Sequence, residues 1–284
     1  MQSKGDLTTR PPCATMMAEV TPMQIPAHIA AFLPEAGTPE NLGCSGATVL
    51  AYPDRFLKIQ EDCNVSANEY HMLAWLQDRL SVPRIIASAK EDGRRFLVTS
   101  RMPGRYLCTD ELLDDQPRLA QLCADALRQL WAVDIADCPT RRTLDEKFRE
   151  IEEGLRGGWI TPDQAGDPSI YDVSVGGFAS PAALFDWLVA HRPQEELALT
   201  HGDLCLPNIF CDDRGLTGFI DVGLAGVADK WLDIEKCLWS LWANTTGFFG
   251  GRQRPFDRRL LFDALGMAPD EEKLRYYGLL DALC

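Results

Sequence analysis
Residues 201–208 read His201-Gly202-Asp203-Leu204-Cys205-Leu206-Pro207-Asn208, and thirteen positions after Asn208 stands Asp221, within Gly218-Phe219-Ile220-Asp221-Val222-Gly223. An aspartate, four residues, an asparagine and then a D-x-G aspartate is the pattern of a kinase catalytic loop followed by a metal-binding aspartate. The first carboxylate serves the attacking hydroxyl; the asparagine and the second carboxylate hold magnesium against phosphate oxygens. The flanks support this. Leu197 to Thr200 is a short apolar run entering the loop, and Ile209-Phe210-Cys211 leaves it. Asp212 to Gly215 is a turn signal, and Leu216 to Ile220 is a second strand. A hairpin so placed brings Asn208 and Asp221 to one end of two adjacent strands. Two oxygens suit magnesium, which completes its shell with water and phosphate.

A plain hairpin whose Asp and Asn only form turns accounts for each residue taken singly. It does not account for the joint spacing with His201, Gly202 and Gly223. Asp203 is therefore the candidate catalytic residue, with Asn208 and Asp221 as candidate metal ligands.

With Val133 to Pro139, Ala228 to Ile234, Glu272 to Tyr277 and Leu279 to Asp281, these motifs resemble the aminoglycoside phosphotransferases, most closely the 3'-phosphotransferase group. The resemblance covers roughly residues 41–284. It implies an α+β, bilobal, protein-kinase-like fold, with a β-rich N-terminal lobe and a larger, mainly helical C-terminal lobe. It also implies an ATP-dependent enzyme that phosphorylates an alcohol group with Mg2+, GTP being the alternative donor. A chain of 284 residues exceeds the size at which one core keeps growing, which agrees with two lobes.

The N-terminal half carries the expected nucleotide contacts. Gly43, Ser45 and Gly46 form a turn ahead of a hairpin whose strands are 43–50 and 55–59. Such a turn lets backbone N–H groups approach phosphate, although glycines there also serve as ordinary turn formers. Lys58 lies among Phe56, Leu57 and Ile59, an apolar setting in which an ammonium needs a partner or a ligand. The resemblance implies that Lys58 contacts the ATP phosphates and pairs with Glu69, near the start of a helix expected over 68–80. The other reading is an edge lysine and a surface glutamate. Arg95 to Thr99 is a strand, and Pro103-Gly104 breaks the chain after it. Residues 100–104 then form the hinge, with Ser100 and Met102 facing the nucleobase.

This gives a layout of tail 1–24, nucleotide-binding lobe 25–99, hinge 100–104 and catalytic and acceptor-binding lobe 105–284. Residues 25–33 have helical spacing, as do 116–135 and 181–190. Gly154 to Pro181 is rich in glycine, holds three prolines and reads as a long irregular segment.

Charge bears on the acceptor. The net charge is −14. Residues 1–99 hold 11 acidic against 9 basic residues, and residues 100–284 hold 31 against 19. An acidic half repels nucleic acid and attracts polycations, such as the aminoglycosides the resemblance implies. Solubility alone also accounts for it. No run approaches the length of a membrane span and no signal peptide is evident. The ten cysteines form no C-x-x-C pair, so a reduced, cytoplasmic protein is expected.

The chain departs from the family pattern around the acceptor. Leu224 stands where relatives carry arginine after D-x-G. Trp239 to Thr246 replaces an acidic stretch, and Ala282 replaces a glutamate. Candidate acceptor contacts are Asp163, Trp239, Trp242, Asp281 and the carboxylate of Cys284, with Asp167 and Asp172 in the irregular segment as further loop acids. An indole face binds a cation or a flatter, less charged molecule. The acceptor expected is a cationic small molecule, best an aminoglycoside. The alternatives are a less charged antibiotic or metabolite on the same fold, and a catalytically silent nucleotide-binding protein.

Overall fold
The structure is a computed structural model that describes residues 25–34, 37–40, 47–164 and 168–284. Gly43, Ser45, Gly46, Asp167 and the tail 1–24 lie outside the described residues.

The N-terminal part is built on one antiparallel sheet. After the short helix α1 (Ala27–Ala30), strands β1 (Thr38–Glu40), β2 (Thr48–Ala51) and β3 (Arg55–Glu61) run to helix α2 (Asn64–Leu76). Strands β4 (Ile85–Glu91) and β5 (Arg94–Ser100) complete a sheet of order β1-β2-β3-β5-β4. Strand alternation sorts β3 into two faces. Leu57 and Ile59 point into a small core with Ile29, Tyr52, Phe96 and Val98. Lys58 takes the other face, in register with Val49 on β2 and Leu97 on β5. That row looks into the cleft.

Helix α2 starts four residues before the position expected from the sequence. Cys63 N–H donates to Ser66 Oγ at 2.9 Å, which satisfies an end donor and sets the start at Asn64. Met72, Leu73 and Leu76 bury its inner face. Strand β4 had no clear sequence signal, because its Ala-Ser-Ala-Lys-Glu stretch lies at the sheet edge and is largely open to solvent.

The larger C-terminal part begins with β6 (Arg105–Tyr106), α3 (Asp110–Asp114), α4 (Gln116–Trp131), α5 (Leu144–Gly157) and α6 (Pro181–Ala190). Strands β7 (Leu197–Thr200), β8 (Ile209–Asp212), β9 (Gly215–Phe219) and β10 (Gly226–Asp229) follow, then α7 (Lys230–Thr245), α8 (Arg259–Leu265) and α9 (Glu271–Asp281). Helix α4 buries Leu119, Leu122, Cys123, Ala126, Leu127 and Leu130, the stripe that its spacing requires. Helix α5 carries few apolar residues and was not evident from periodicity. Its start is fixed by Thr143 and Glu146, whose carboxylate accepts the Thr143 N–H at 3.1 Å. Among its described residues, the segment after it holds only short 3-10 turns at Pro162–Gln164, Pro168–Tyr171 and Val173–Val175, as its glycine and proline content implies.

Two small sheets carry the site. Strand β7 pairs antiparallel with β10, and β8 pairs with both β6 and β9. Their ends converge beneath the N-terminal sheet. Gly218, at φ +150°, is needed where they meet it: a Cβ there would lie 2.4 Å from the Ser81 carbonyl oxygen and 2.2 Å from Met102 Cε.

Candidate active site
The loop 201–208 leaves β7 and enters β8. Gly202 has φ +80°, and a Cβ on it would stand 2.2 Å from the carbonyl oxygen of Leu224, so only glycine fits. Beneath the loop lies Asp233 of α7, fully buried. Its carboxylate accepts the N–H of His201 at 2.6 Å and of Gly202 at 2.9 Å. Burial pushes the Asp233 carboxyl up to about 6, against the pull of those N–H groups. His201 Nε2 lies 2.8 Å from the Ile220 carbonyl oxygen, and its Nδ1 accepts the Asp203 N–H at 3.3 Å. The imidazole thus ties the loop to the strand that delivers Asp221.

Asp203 is held from both sides. Asn208 Nδ2 donates to its Oδ2 at 3.0 Å, and the Cys205 thiol donates to its Oδ1 at 3.1 Å. Burial raises the Cys205 thiol far above its ordinary range, which keeps it a donor rather than a nucleophile. Asn208 spends its amide N–H groups on Asp203, its Oδ1 accepts no hydrogen bond among the described residues, and the residue lines the first cavity described below. The Ile220 N–H bonds the Asn208 carbonyl at 3.0 Å, placing Asn208 and Asp221 at the same end of β8 and β9.

Asp221 has φ 59° and ψ 50°. Left-handed backbone at a non-glycine residue costs on the order of 1–3 kcal/mol and is typical of functional positions. Lys58 Nζ donates to Asp221 Oδ1 at 2.7 Å and to Glu69 Oε1 and Oε2 at 3.0 and 2.9 Å. Burial alone would lower the Lys58 pKa. The Glu69 and Asp221 carboxylates outweigh it and push the ammonium up to about 12. Burial likewise disfavours the Asp221 anion, and Lys58 overrides it, holding the carboxyl below its ordinary value. Gln60 Nε2 donates to Glu69 Oε2 at 2.9 Å.

Asn68, one residue before Glu69, is a positioning residue that the sequence did not single out. Its buried Nδ2 donates to the carbonyls of Gly223 and Ala225, each at 2.9 Å, and Thr140 donates to its Oδ1 at 2.6 Å. This clasp fixes α2 against the segment after Asp221. Asn, Gly and Thr so far apart in sequence give no local signal.

Three neighbouring cavities form the site. The first encloses about 970 Å³, is mostly apolar, and runs from Ser100 and Met102 past Val49 and Leu97 to Lys58 and Asp221. The second, about 1100 Å³, has Lys58, Asp203 and Asp221 on its walls. The third, about 1440 Å³, opens on the far side of Asp203 between α5, α7 and the C-terminus. It contains Asp281 and Cys284, and two of the positions of departure, Leu224 and Ala282. It also contains charges not foreseen: Glu150 and Glu235, and the cations Arg142, Lys147 and Lys236. Lys236 Nζ pairs with Asp281 Oδ1 at 2.6 Å. Burial, aided by the Asp281 carboxylate, pushes the Glu235 carboxyl up to about 7.

Other candidate acceptor contacts stand apart. Trp239 and Trp242 are exposed and pack with Phe248 and Phe249, at 5.9 Å between the rings of Trp239 and Phe249 and 5.4 Å between those of Trp242 and Phe248. Neither indole is on the cavity wall. Lys236 Nζ, 5.7 Å from the Trp239 ring centre, links them to it. Asp163 is exposed on its 3-10 turn, and Asp172 caps the turn Val173–Val175 by accepting the Ser174 N–H at 3.0 Å.

Among the described residues, no group of three or more His, Cys, Asp or Glu side chains is arranged to hold a metal ion. Two free oxygens, from Asn208 and Asp221, still fit magnesium, which takes few protein ligands.

The comparisons with known proteins agree with this geometry. The model of a family described as "Phosphotransferase enzyme family" (APH) matches residues 55–277. An aminoglycoside 3'-phosphotransferase of Enterococcus faecalis is 35% identical over 221 residues, 76% of this chain and 77% of that protein. The chain belongs to the aminoglycoside phosphotransferase family. It is a phosphotransferase that uses ATP and an alcohol acceptor, on the kinase-like α+β fold. A streptomycin 3''-kinase of Streptomyces griseus is 32% identical over 252 residues, covering 85% of this chain and 89% of that one. The crystal structure of an aminoglycoside-3'-phosphotransferase of type VIII superposes with a TM-score of 0.73 at 27% identity, covering 90% of this chain and 97% of the other. Among the described residues, no helix is long and apolar enough to cross a membrane.

Proposed function
We propose that this family member transfers the γ-phosphoryl group of ATP to a hydroxyl group of an aminoglycoside, a kinase of the antibiotic-resistance type. The observation that carries the reading is the position of Asp203, which borders both the cavity of Lys58 and Asp221 and the cavity beyond. Nucleotide and acceptor then meet at one carboxylate.

In this reading the nucleobase lies in the apolar cavity against Ser100 and Met102. The residues outside the described set, Gly43, Ser45 and Gly46, remain candidates for the phosphate turn. Lys58, kept in place by Glu69, neutralises phosphate charge. Asn208 and Asp221 hold Mg2+, which would draw off charge from the phosphate oxygens. The acceptor oxygen attacks the γ-phosphorus while the bond to the β-phosphate oxygen breaks. Its proton passes to Asp203, and ADP leaves. Little covalent help is needed, so positioning and electrostatics supply most of the rate. Asn208 and Cys205 orient Asp203 so that its free lone pairs face the cavity.

The aminoglycoside assignment draws on the relatives named above and on the acids around the far cavity: Glu150, Glu235 and Asp281. The test is ADP release with kanamycin-type and neomycin-type acceptors in the presence of Mg-ATP. Turnover supports the reading. Tight Mg-ATP binding with no ADP release from any of them would leave a kinase for another, less charged small molecule, an outcome that Leu224 and Ala282 in the cavity wall favour.

A further inference from the structure
The cavity beyond Asp203 contains one cation that the proposed chemistry does not use. Lys147 lies on α5 and lines this cavity with Asp203 and Glu235. It is only 9% exposed, and among the described residues no hydrogen bond or ion pair reaches its ammonium. The other two cations of the cavity are engaged. Arg142 Nη2 meets Glu150 at 3.2 Å, and Lys236 meets Asp281 at 2.6 Å.

An ammonium has three donors and no acceptor; the stem of Lys147 is enclosed while its Nζ keeps contact with the water of the cavity, which a ligand would displace. Nothing in the packing of α5 needs the charge: Leu144 and Ile151 bury the helix, and the Thr143–Glu146 box caps it. A ligand atom that completes Lys147 must accept a hydrogen bond. An acceptor ammonium placed there would meet like charge.

We propose that Lys147 is a specificity-determining residue that donates to an oxygen of the acceptor (a hydroxyl, carbonyl or carboxylate) and excludes an amine from the α5 wall. This rests on reading the cavity as the acceptor site. Glu235 on α7, a half-buried carboxyl on the same cavity wall with no cation beyond neighbouring Lys236 among the described residues, supplies the complementary position for an amine. The acceptor class is then an amino sugar with few amines, whose group facing α5 is an oxygen.

The test uses the full chain with Lys147→Met and Lys147→Arg. kcat/KM is measured with neomycin against paromomycin and with kanamycin B against kanamycin A, pairs that exchange one amine for one hydroxyl. The wild type should favour the hydroxyl-bearing member of at least one pair by about tenfold or more. Lys147→Met should lose that preference, mainly through KM, and Lys147→Arg should keep it. The same ratios in wild type and Lys147→Met would overturn the proposal. Melting temperature without acceptor is a second readout. Lys147→Met should melt at about the same temperature, because no carboxylate of the protein loses a partner; a fall of several degrees makes Lys147 structural and also overturns it. If no aminoglycoside is turned over, the function proposed above fails and Lys147 is judged by binding alone. Trp159 lines the same cavity, so its fluorescence can be titrated with glucuronate and glucosamine. Preference for glucuronate in the wild type, lost in Lys147→Met, supports the proposal; equal responses of the two proteins sink it.

Discussion

Lys58 Nζ stands 2.7 Å from Asp221 Oδ1 while it also grips both oxygens of Glu69. One cation from the N-terminal sheet thus answers a carboxylate on α2 and a carboxylate at the end of β9, 163 residues away in sequence. The three groups carry a net single negative charge in a half-buried setting. A nucleotide phosphate with its magnesium would enter this arrangement with the cation already oriented.

Replacing Lys58 by Met keeps the length of the side chain and removes the charge. Activity should fall by far more than stability. Glu69 and Asp221 would then face each other without a cation, so binding of Mg-ATP should weaken as well. If the melting temperature drops sharply while kcat holds, Lys58 is a structural lysine and the phosphate role is wrong.

Asp221→Ala should abolish magnesium-dependent nucleotide binding, because it deletes an ionised ligand. The same change does not relieve the left-handed strain, since alanine is no more at ease at φ 59°. Titration calorimetry with Mg-ATP decides the matter: an unchanged affinity and stoichiometry would remove Asp221 from the metal site.

Asp203→Asn should leave Mg-ATP binding near normal and lower kcat by about 10²–10⁴-fold, the usual range for a general base. A variant that retains more than half of the wild-type kcat would take Asp203 out of the mechanism.

Glu235 makes stability depend on pH. Burial, aided by Asp281, pushes its folded pKa up to about 7, above the ordinary glutamate value, so the fold favours the protonated form. The stabilising contribution is complete below the unfolded value and is lost as pH rises through about 7. Glu235→Gln does not titrate. It should match the wild type near pH 5 and exceed it at pH 8, by at most about 3 kcal/mol. Denaturant titrations at the two pH values test this, and a difference that does not change with pH would contradict it.

Ionic strength separates the acceptor readings. A polycation steered by the acidic C-terminal part should show kcat/KM falling steeply with salt, as the Debye length shrinks from about 30 Å at 0.01 M to about 10 Å at 0.1 M. A weakly charged acceptor should show a shallow response.

The catalytic chemistry was legible in the sequence because it is compact along the chain. Asp203, Asn208 and Asp221 lie on one hairpin and the loop before it, and local spacing fixes their geometry. Lys58 was legible for a different reason: an ammonium in an apolar strand must be answered, and the resemblance supplied Glu69 as its partner. The irregular segment after α5 was also plain, since glycine and proline act through local backbone preference.

What the sequence left open was decided by contacts between distant segments. Asp233 reads as one acid in a helix, yet it holds the backbone of His201 and Gly202 from beneath. Asn68 reads as a helix residue, yet it bonds the carbonyls after Asp221. Trp239 and Trp242 looked like acceptor contacts from their place in the family pattern, but the cavity reaches only the first turns of α7, at Leu232, Glu235 and Lys236, and the indoles, further along the same face, stand exposed beside Phe248 and Phe249. Lys147 carried no signal, because α5 is polar along most of its length and only packing shows which of its charges is enclosed. Sequence alone determines which chemistry the chain carries, since those groups are set by local spacing. The tertiary structure decides which charges surround the acceptor, since that depends on which faces of α5, α7 and the C-terminus close around one space.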